Sequence, residues 1–190
     1  MRQVHKAGEK LFVDYCGPTV GVTDPETGEI RTAQVIVAVL GASSYTWAEA
    51  TWSQQLEDWV MSHVRCFQWL GGVPELVVPD NLKSATSRAC KYDPDVNPTY
   101  QQMLEHYNVA VLPARPRKPK DKPKLKLAFR LLNAGSWPES GMRSSTALHR
   151  LISAFRELLE RLNNKIMQKL GYSRAELFIQ LDKPALKASS

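Results

Sequence analysis

Residues 32–40 read TAQVIVAVL, nine positions in which small and β-branched apolar side chains follow one another with almost no polar interruption. A strand with one wet face alternates apolar and polar residues, so this run fits a strand buried on both faces. Such a strand needs neighbours on each side and a layer of structure above and below, which commits the chain to a layered fold. The flanking segments supply candidates. Residues 10–17 (KLFVDYCG) read as a preceding strand, and residues 19–22 either extend it or pair with it before the turn signal DPETG at 24–28. Residues 45–51 (YTWAEAT) make a third strand, giving an antiparallel meander.

Downstream the period changes. Ser53 is placed to N-cap a helix running to about Leu70, with Leu56, Val60, Val64 and Phe67 on its apolar stripe and Gly71-Gly72 ending it. A short strand at 76–78 leads directly into Pro79-Asp80-Asn81, Asn97-Pro98 opens a helix to about Tyr107, and residues 109–112 form a fifth strand. The order βββ-α-β-α-β predicts an α/β protein with a mixed five-stranded sheet: three antiparallel strands, then alternating helices and strands. In the tail, Leu148, Leu151, Ile152, Phe155, Leu158, Leu159 and Leu162 share one face of a helix expected over 147–165, which docks either on the core or on a partner. A shorter helix begins at Ser173, where Glu176 completes a capping box. Residues 133–146 (NAGSWPESGMRSST) have no period and read as a loop, so the expected division is a core over 1–132, that loop, and a helical extension over 147–190.

No apolar run approaches the roughly 18–20 residues of a membrane span, and MRQVHKAGEK has no secretory apolar stretch, so the expectation is a cytosolic protein without a membrane partner. Cys16, Cys66 and Cys90 are odd in number and lack CxxC spacing, which points to reduced bystanders. The formal charge of +6 is concentrated: Arg115, Arg117, Lys118, Lys120, Lys122, Lys124 and Lys126 crowd one tract opposed only by Asp121, and the rest of the chain balances. Focused positive charge suits a polyanion, through counterion release; a solvated linker is the alternative.

Asp14 interrupts an apolar strand, and Asp80 follows a short strand far away in sequence. In the predicted sheet these strands can be neighbours, bringing two carboxylates to one edge. Paired carboxylates suit Mg²⁺, and two such ions support phosphodiester chemistry; the spacing alone also admits sheet-end or turn roles. His5, His63, His106 and His149 lack metal-ligand spacing and read as surface or packing residues, and Trp47, Trp52, Trp59 and Trp69 as core residues of which one could meet a DNA base.

The strings FVDYCG at 12–17, VPDNLKSA at 78–85, TYQ at 99–101 and LPARPRKPKDK at 112–122 together resemble the IstA-type insertion-sequence transposases of the integrase-core superfamily. The resemblance resumes in the tail at RELL, LNN, SRAELF and LDKPAL. It implies a ribonuclease-H-like core in which two Asp and one Glu hold two Mg²⁺ ions for DNA strand cleavage and strand transfer at element ends and target DNA. Asp14 and Asp80 match the first two carboxylates; beside Asp80, Asn81 and Lys83 either orient substrate phosphate or serve as turn residues, and Arg115, Arg117, Lys118, Lys120, Lys122 and Lys124 are placed to bind DNA. The family also implies an N-terminal helix-turn-helix region, a helper ATPase and homo-oligomers, with association to the nucleoid when DNA is bound. This chain begins at the core strand, which suggests a truncated gene or a fragment.

The third carboxylate is missing. Where the family pattern reads KAKVE, this chain reads KPKLK, placing Lys126 at the Glu position and Pro123 in what should be a helix. A cation there repels Mg²⁺ rather than ligating it. Back-translating residues 125–146 and reading one nucleotide earlier can give VEVGVQVVERWIL, an amphipathic helix with Glu in place. A local frameshift from about residue 125, restored near Ala147, therefore accounts for both the lost Glu and the patternless loop; ordinary divergence is the alternative. Neither Asp121 nor Glu139 has the required helical placement. The expectation is a transposase catalytic domain of impaired activity. Its rival is a catalytically dead DNA-binding or assembly fragment, and a generic ribonuclease-H-type nuclease is a third option.

Overall fold

A computed structural model describes residues 4–16, 19–24, 26–79, 97–112 and 144–189, with residues 144–147 described by backbone only. The elements are β1 (Lys10–Tyr15), β2 (Val20–Thr23), β3 (Ile30–Leu40), β4 (Thr46–Thr51), α1 (Leu56–Leu70), β5 (Leu76–Pro79), α2 (Pro98–His106), β6 (Ala110–Val111), α3 (Ser144–Asn164) and α4 (Arg174–Leu177), then a π-helical turn (Phe178–Asp182) and α5 (Lys183–Ala185).

The apolar run became the long strand β3, and its two halves differ for a reason visible in the pairing. Val35 to Leu40 are mostly buried between β1 and β4, both antiparallel to β3. Ile30 to Thr32 run past the end of β1, pair with the short β2 as a hairpin, and are exposed. The principal sheet runs β4-β3-β1-β5-β6, with β5 parallel to both β1 and β6. The expected five-stranded mixed sheet is present, and β2 adds a sixth, shorter strand.

Each face of this sheet has its own core. On one, Leu11, Val13, Tyr15, Ile36, Ala38 and Leu40 pack under α1 and α2 through Trp59, Phe67, Tyr100 and Leu104. On the other, Phe12, Cys16, Val35, Val37, Val39, Ala48, Ala50 and Val78 pack under α3 through Leu151, Phe155 and Leu159. Of the two docking choices for the tail helix, the chain uses its own core. Asn163, near the end of α3, then covers part of the open edge of β4: its Oδ1 accepts from the Thr46 N–H at 3.0 Å and its Nδ2 donates to the Thr46 carbonyl at 2.9 Å.

Several local expectations shift. Helix α1 starts at Leu56 with Gln55 as N-cap, not Ser53. The Ser53 N–H and hydroxyl both donate to Asp58, so this serine ties the preceding turn to the helix from outside it. The buried stripe of α1 is Trp59, His63, Cys66, Phe67 and Leu70 rather than one led by Leu56, Val60 and Val64. Gly71 ends the helix as expected, in the left-handed region at φ 71°. Helix α3 begins at Ser144, so the last three residues of the expected 133–146 loop are helical; Ser-Ser-Thr is a run favoured at helix starts. The remainder of that loop lies outside the described residues. Asn97 caps α2 by accepting from Thr99 N–H, and Ser173 and Glu176 form the reciprocal capping box.

The C-terminal segment is fastened by a buried carboxylate. Asp182 is 1% exposed and accepts from the Gly8 N–H at 2.8 Å and the Ser43 N–H at 2.9 Å. Gly8 is required here, because a Cβ would stand 2.6 Å from the Ala185 carbonyl oxygen and its φ is +68°. Asp182→Ala removes two charge-assisted hydrogen bonds and orphans two buried donors, an expected loss of roughly 3 kcal/mol. Denaturant unfolding measures it, and hydrogen exchange should quicken at Gly8 and Ser43.

Candidate active site

Asp14 stands in β1 between Phe12 and Cys16, which belong to the core under α3. Side chains alternate along a strand, so the Asp14 carboxylate is on that face, near the end of the strand, with Val37 of β3 as its direct cross-strand partner. It is half-buried. Burial pushes the neighbouring Cys16 thiol up, and the Asp14 charge adds to the effect. On the opposite face Tyr15 is buried against Trp59, and desolvation pushes its hydroxyl up to about 12.

The strand beside β1 is β5, and the pairing is parallel: Lys10 with Leu76, Leu11 with Val77, Phe12 with Val78, Val13 with Pro79. The register ends one residue before Asp14 on β1 and one residue before Asp80 in the sequence. Asp80, Asn81, Lys83, the tract Arg115, Arg117, Lys118, Lys120, Lys122 and Lys124, and Lys126 all lie outside the described residues.

Other buried acids have structural work. Glu49, 6% exposed, takes the Arg65 Nη2 at 2.8 Å and the Ser62 hydroxyl at 2.9 Å; Asp182 holds the C-terminal turn. Sequence reading assigned neither a role: Asp182 stands in the LDKPAL string and Glu49 in a strand, and the part each plays is recognisable only by the donors that surround it. The Glu49–Arg65 pair lines an open cavity of about 740 Å³ at the edge of β4, together with Trp47, Trp69, Arg156 and Asn163. Asp14 is not among its lining residues.

The histidine and tryptophan readings resolve individually. His63 is buried under the opposite face of the sheet; its Nδ1–H donates to the Trp59 carbonyl at 2.8 Å and its Nε2 accepts from the Tyr100 hydroxyl at 3.1 Å. Trp47 and Trp59 are core residues, Trp52 is half-buried beneath Arg31, and Trp69 stacks on Tyr45 with 39% exposed. Among the described residues no group of three or more His, Cys, Asp or Glu is placed to hold a metal ion, and no helix is long and apolar enough to cross a membrane.

The fold class is that of a ribonuclease-H-like catalytic core. The chain aligns at a TM-score of 0.64 with a chain of the simian T-cell lymphotropic virus intasome, covering 93% of this chain and 57% of that one at 12% identity. It aligns at 0.56 with the HTLV-2 integrase catalytic core domain in complex with magnesium, covering 93% and 99% at 13% identity. Likeness at such low identity establishes the fold alone.

Sequence places the chain more narrowly. Residues 4–119 match the integrase core domain family. Over 98% of its length the chain is 46% identical to a Sinorhizobium fredii protein assigned as a transposase, and 43% identical to one for insertion sequence IS408 of Burkholderia multivorans. The chain belongs to the integrase core domain family, and its relatives are named as transposases, among them those for insertion sequences IS1162 and IS408. It spans 37% and 36% of the lengths of those two relatives.

Proposed function

We propose that this chain is the DNA-cleaving and strand-joining core of an IstA-type insertion-sequence transposase, with a metal centre built on Asp14 and Asp80 and weakened at Lys126. The observation that carries the reading is the parallel β1–β5 register, which ends one residue short of both aspartates. Continued by one step, the same pairing would bring Asp14 and Asp80 to one end of the sheet, which supports reading the two carboxylates as a pair.

The donor set fits a hard cation. Both residues offer only carboxylate oxygens, and His63, the histidine closest in kind to a ligand, is buried on the other face with both ring nitrogens engaged. A bound pair of Mg²⁺ ions would supply activation of the attacking oxygen and stabilisation of the leaving one. The chain's own part is to fix the carboxylates on adjacent strands, with Asn81 and Lys83 orienting substrate phosphate and the Arg115 to Lys124 tract holding the DNA backbone. Lys126 puts a positive charge where a third ligand belongs, so strand transfer is expected to be very weak. A reading-frame shift across residues 125–146 is our account of its origin, and sequencing the coding DNA decides it.

The test combines metal binding with turnover. Mg²⁺ should raise the thermal midpoint slightly in the natural chain and not at all in Asp14→Asn, and any Mg²⁺-dependent cleavage of element ends should fall by about 100-fold or more in that variant. Robust strand transfer with Lys126 in place would overturn the impaired centre. Lys126 also favours a second reading, an assembly fragment that joins and inhibits active transposase. Mixing the chain with an active relative would reveal it as a dose-dependent loss of transposition. A helper ATPase and a homo-oligomer are the further partners this reading carries.

A further inference from the structure

Arg31 lies over Trp52, its guanidinium carbon 4.2 Å from the ring centroid, and we propose that this pair is a binding site for a backbone phosphate of duplex DNA. The inference rests on the DNA-handling function proposed above and adds a contact separate from the basic tract and from the aspartates.

Strand alternation fixes which face the pair occupies. Ala33, Val35 and Val37 belong to the core beneath α3, so Arg31, in the same odd series of β3, is on their face. Val37 is the direct partner of Asp14, which is therefore on that face too. Trp52 follows the end of β4 and packs against the same core from its rim. Because β1 and β4 both run antiparallel to β3, the end of β4, the start of β3 and the end of β1 lie at one end of the sheet. Six residues along β3 separate Arg31 from the position opposite Asp14, about 20 Å at strand rise. That is rather more than half a turn of B-DNA, within reach of a duplex lying across the aspartate end.

The chemistry suits phosphate. A guanidinium held over an indole can still donate through its N–H groups, and an ordered Arg loses less freedom on binding than a mobile one. Among the described residues the ion pairs are Lys6–Glu75, Lys10–Glu9 and Arg65–Glu49, so no carboxylate neutralises Arg31. The acids nearest in the hairpin are Asp24, Glu26 and Glu29, at its turn; Asp24 accepts from the Glu26 and Thr27 N–H groups. Arg31 pairs with Val22, one step in from Thr23–Ile30, the last pair before this acidic turn, so a phosphate meets it from the Trp52 side, away from the turn. The Gln34–Gln54 side-chain pair next to it is neutral and belongs to the other face of β3.

The full chain should be titrated with a labelled DNA duplex at several salt concentrations. Arg31→Gln should weaken binding about five-fold and lower the slope of log K against log salt by about 0.9, one phosphate's worth. Trp52→Leu should lose part of the affinity with Arg31 still present, and Arg31→Lys should keep the slope while losing affinity. Lys6→Gln, a cation already paired with Glu75 at the other end of β1, should change neither. An Arg31→Gln variant with natural affinity and slope overturns the inference, as does one that lowers only the thermal midpoint. If the natural chain shows no salt-dependent duplex binding, the proposed function falls with it; if it binds and Arg31→Gln binds equally, only this site falls.

Discussion

Phe155→Ala should destabilise the chain by about 3–5 kcal/mol, the usual cost of deleting a fully buried aromatic ring. Phe155 is 0% exposed and sits where α3 meets the sheet, in the core that holds Phe12 and Cys16 on either side of Asp14. The cost has two parts, lost transfer energy and a cavity that the stiff strands β1 and β3 cannot close. Urea unfolding followed by circular dichroism measures it, and at this chain length a shift of roughly 2–4 °C per kcal/mol is expected in thermal melts. The result separates two pictures of the tail. A helix merely appended to a core would melt alone and leave the sheet intact; a helix that forms one wall of the core takes the sheet's cooperativity with it. A loss below about 1 kcal/mol would sink the second picture.

Acid should weaken the fold through one residue, His63. Complete burial lowers its pKa from 6.5 to about 4, with only partial compensation from the Trp59 carbonyl. The folded state therefore keeps His63 neutral, its Nδ1–H on Trp59 and its Nε2 accepting from Tyr100, under conditions in which the unfolded chain takes up a proton. Between pH 6.5 and about 4 the unfolded state binds more protons, so stability falls as pH falls, by roughly 1.4 kcal/mol per unit and about 3 kcal/mol in all. Above pH 6.5 this contribution is fully present. Comparing the natural chain with His63→Asn across pH 4–7 isolates it from the titrating carboxylates. The variant should be less stable at neutral pH, and the gap should close on acidification. Parallel curves would show that His63 binds its proton equally well in both states, against this account.

Much of the layout was legible in local sequence. The apolar run at 32–40 could only be an interior strand, glycine at 71 and asparagine at 97 marked helix ends, and Ser173 with Glu176 announced a capping box; each signal is completed by residues within a few positions. The misreadings share a cause. Ser53 looked like an N-cap because its partner Asp58 is recognisable only once the turn is folded, and α1 buries Trp59, His63 and Cys66 because the sheet meets the helix there. Helical period gives a stripe, but the neighbouring layer decides which one is covered.

The sequence by itself determined the class of sheet, the family strings around Asp14 and Asp80, and the lysine at position 126, since these depend on residue type and spacing along one chain. Only the tertiary structure decided that α3 closes the face on which Asp14 stands, that Asp182 reaches back to Gly8 and Ser43, and that Arg31 rests on Trp52. Those contacts join residues 21 to 174 positions apart, and no local periodicity encodes them. They follow from which faces remain uncovered after the sheet has formed, which depends on the packing of the whole chain.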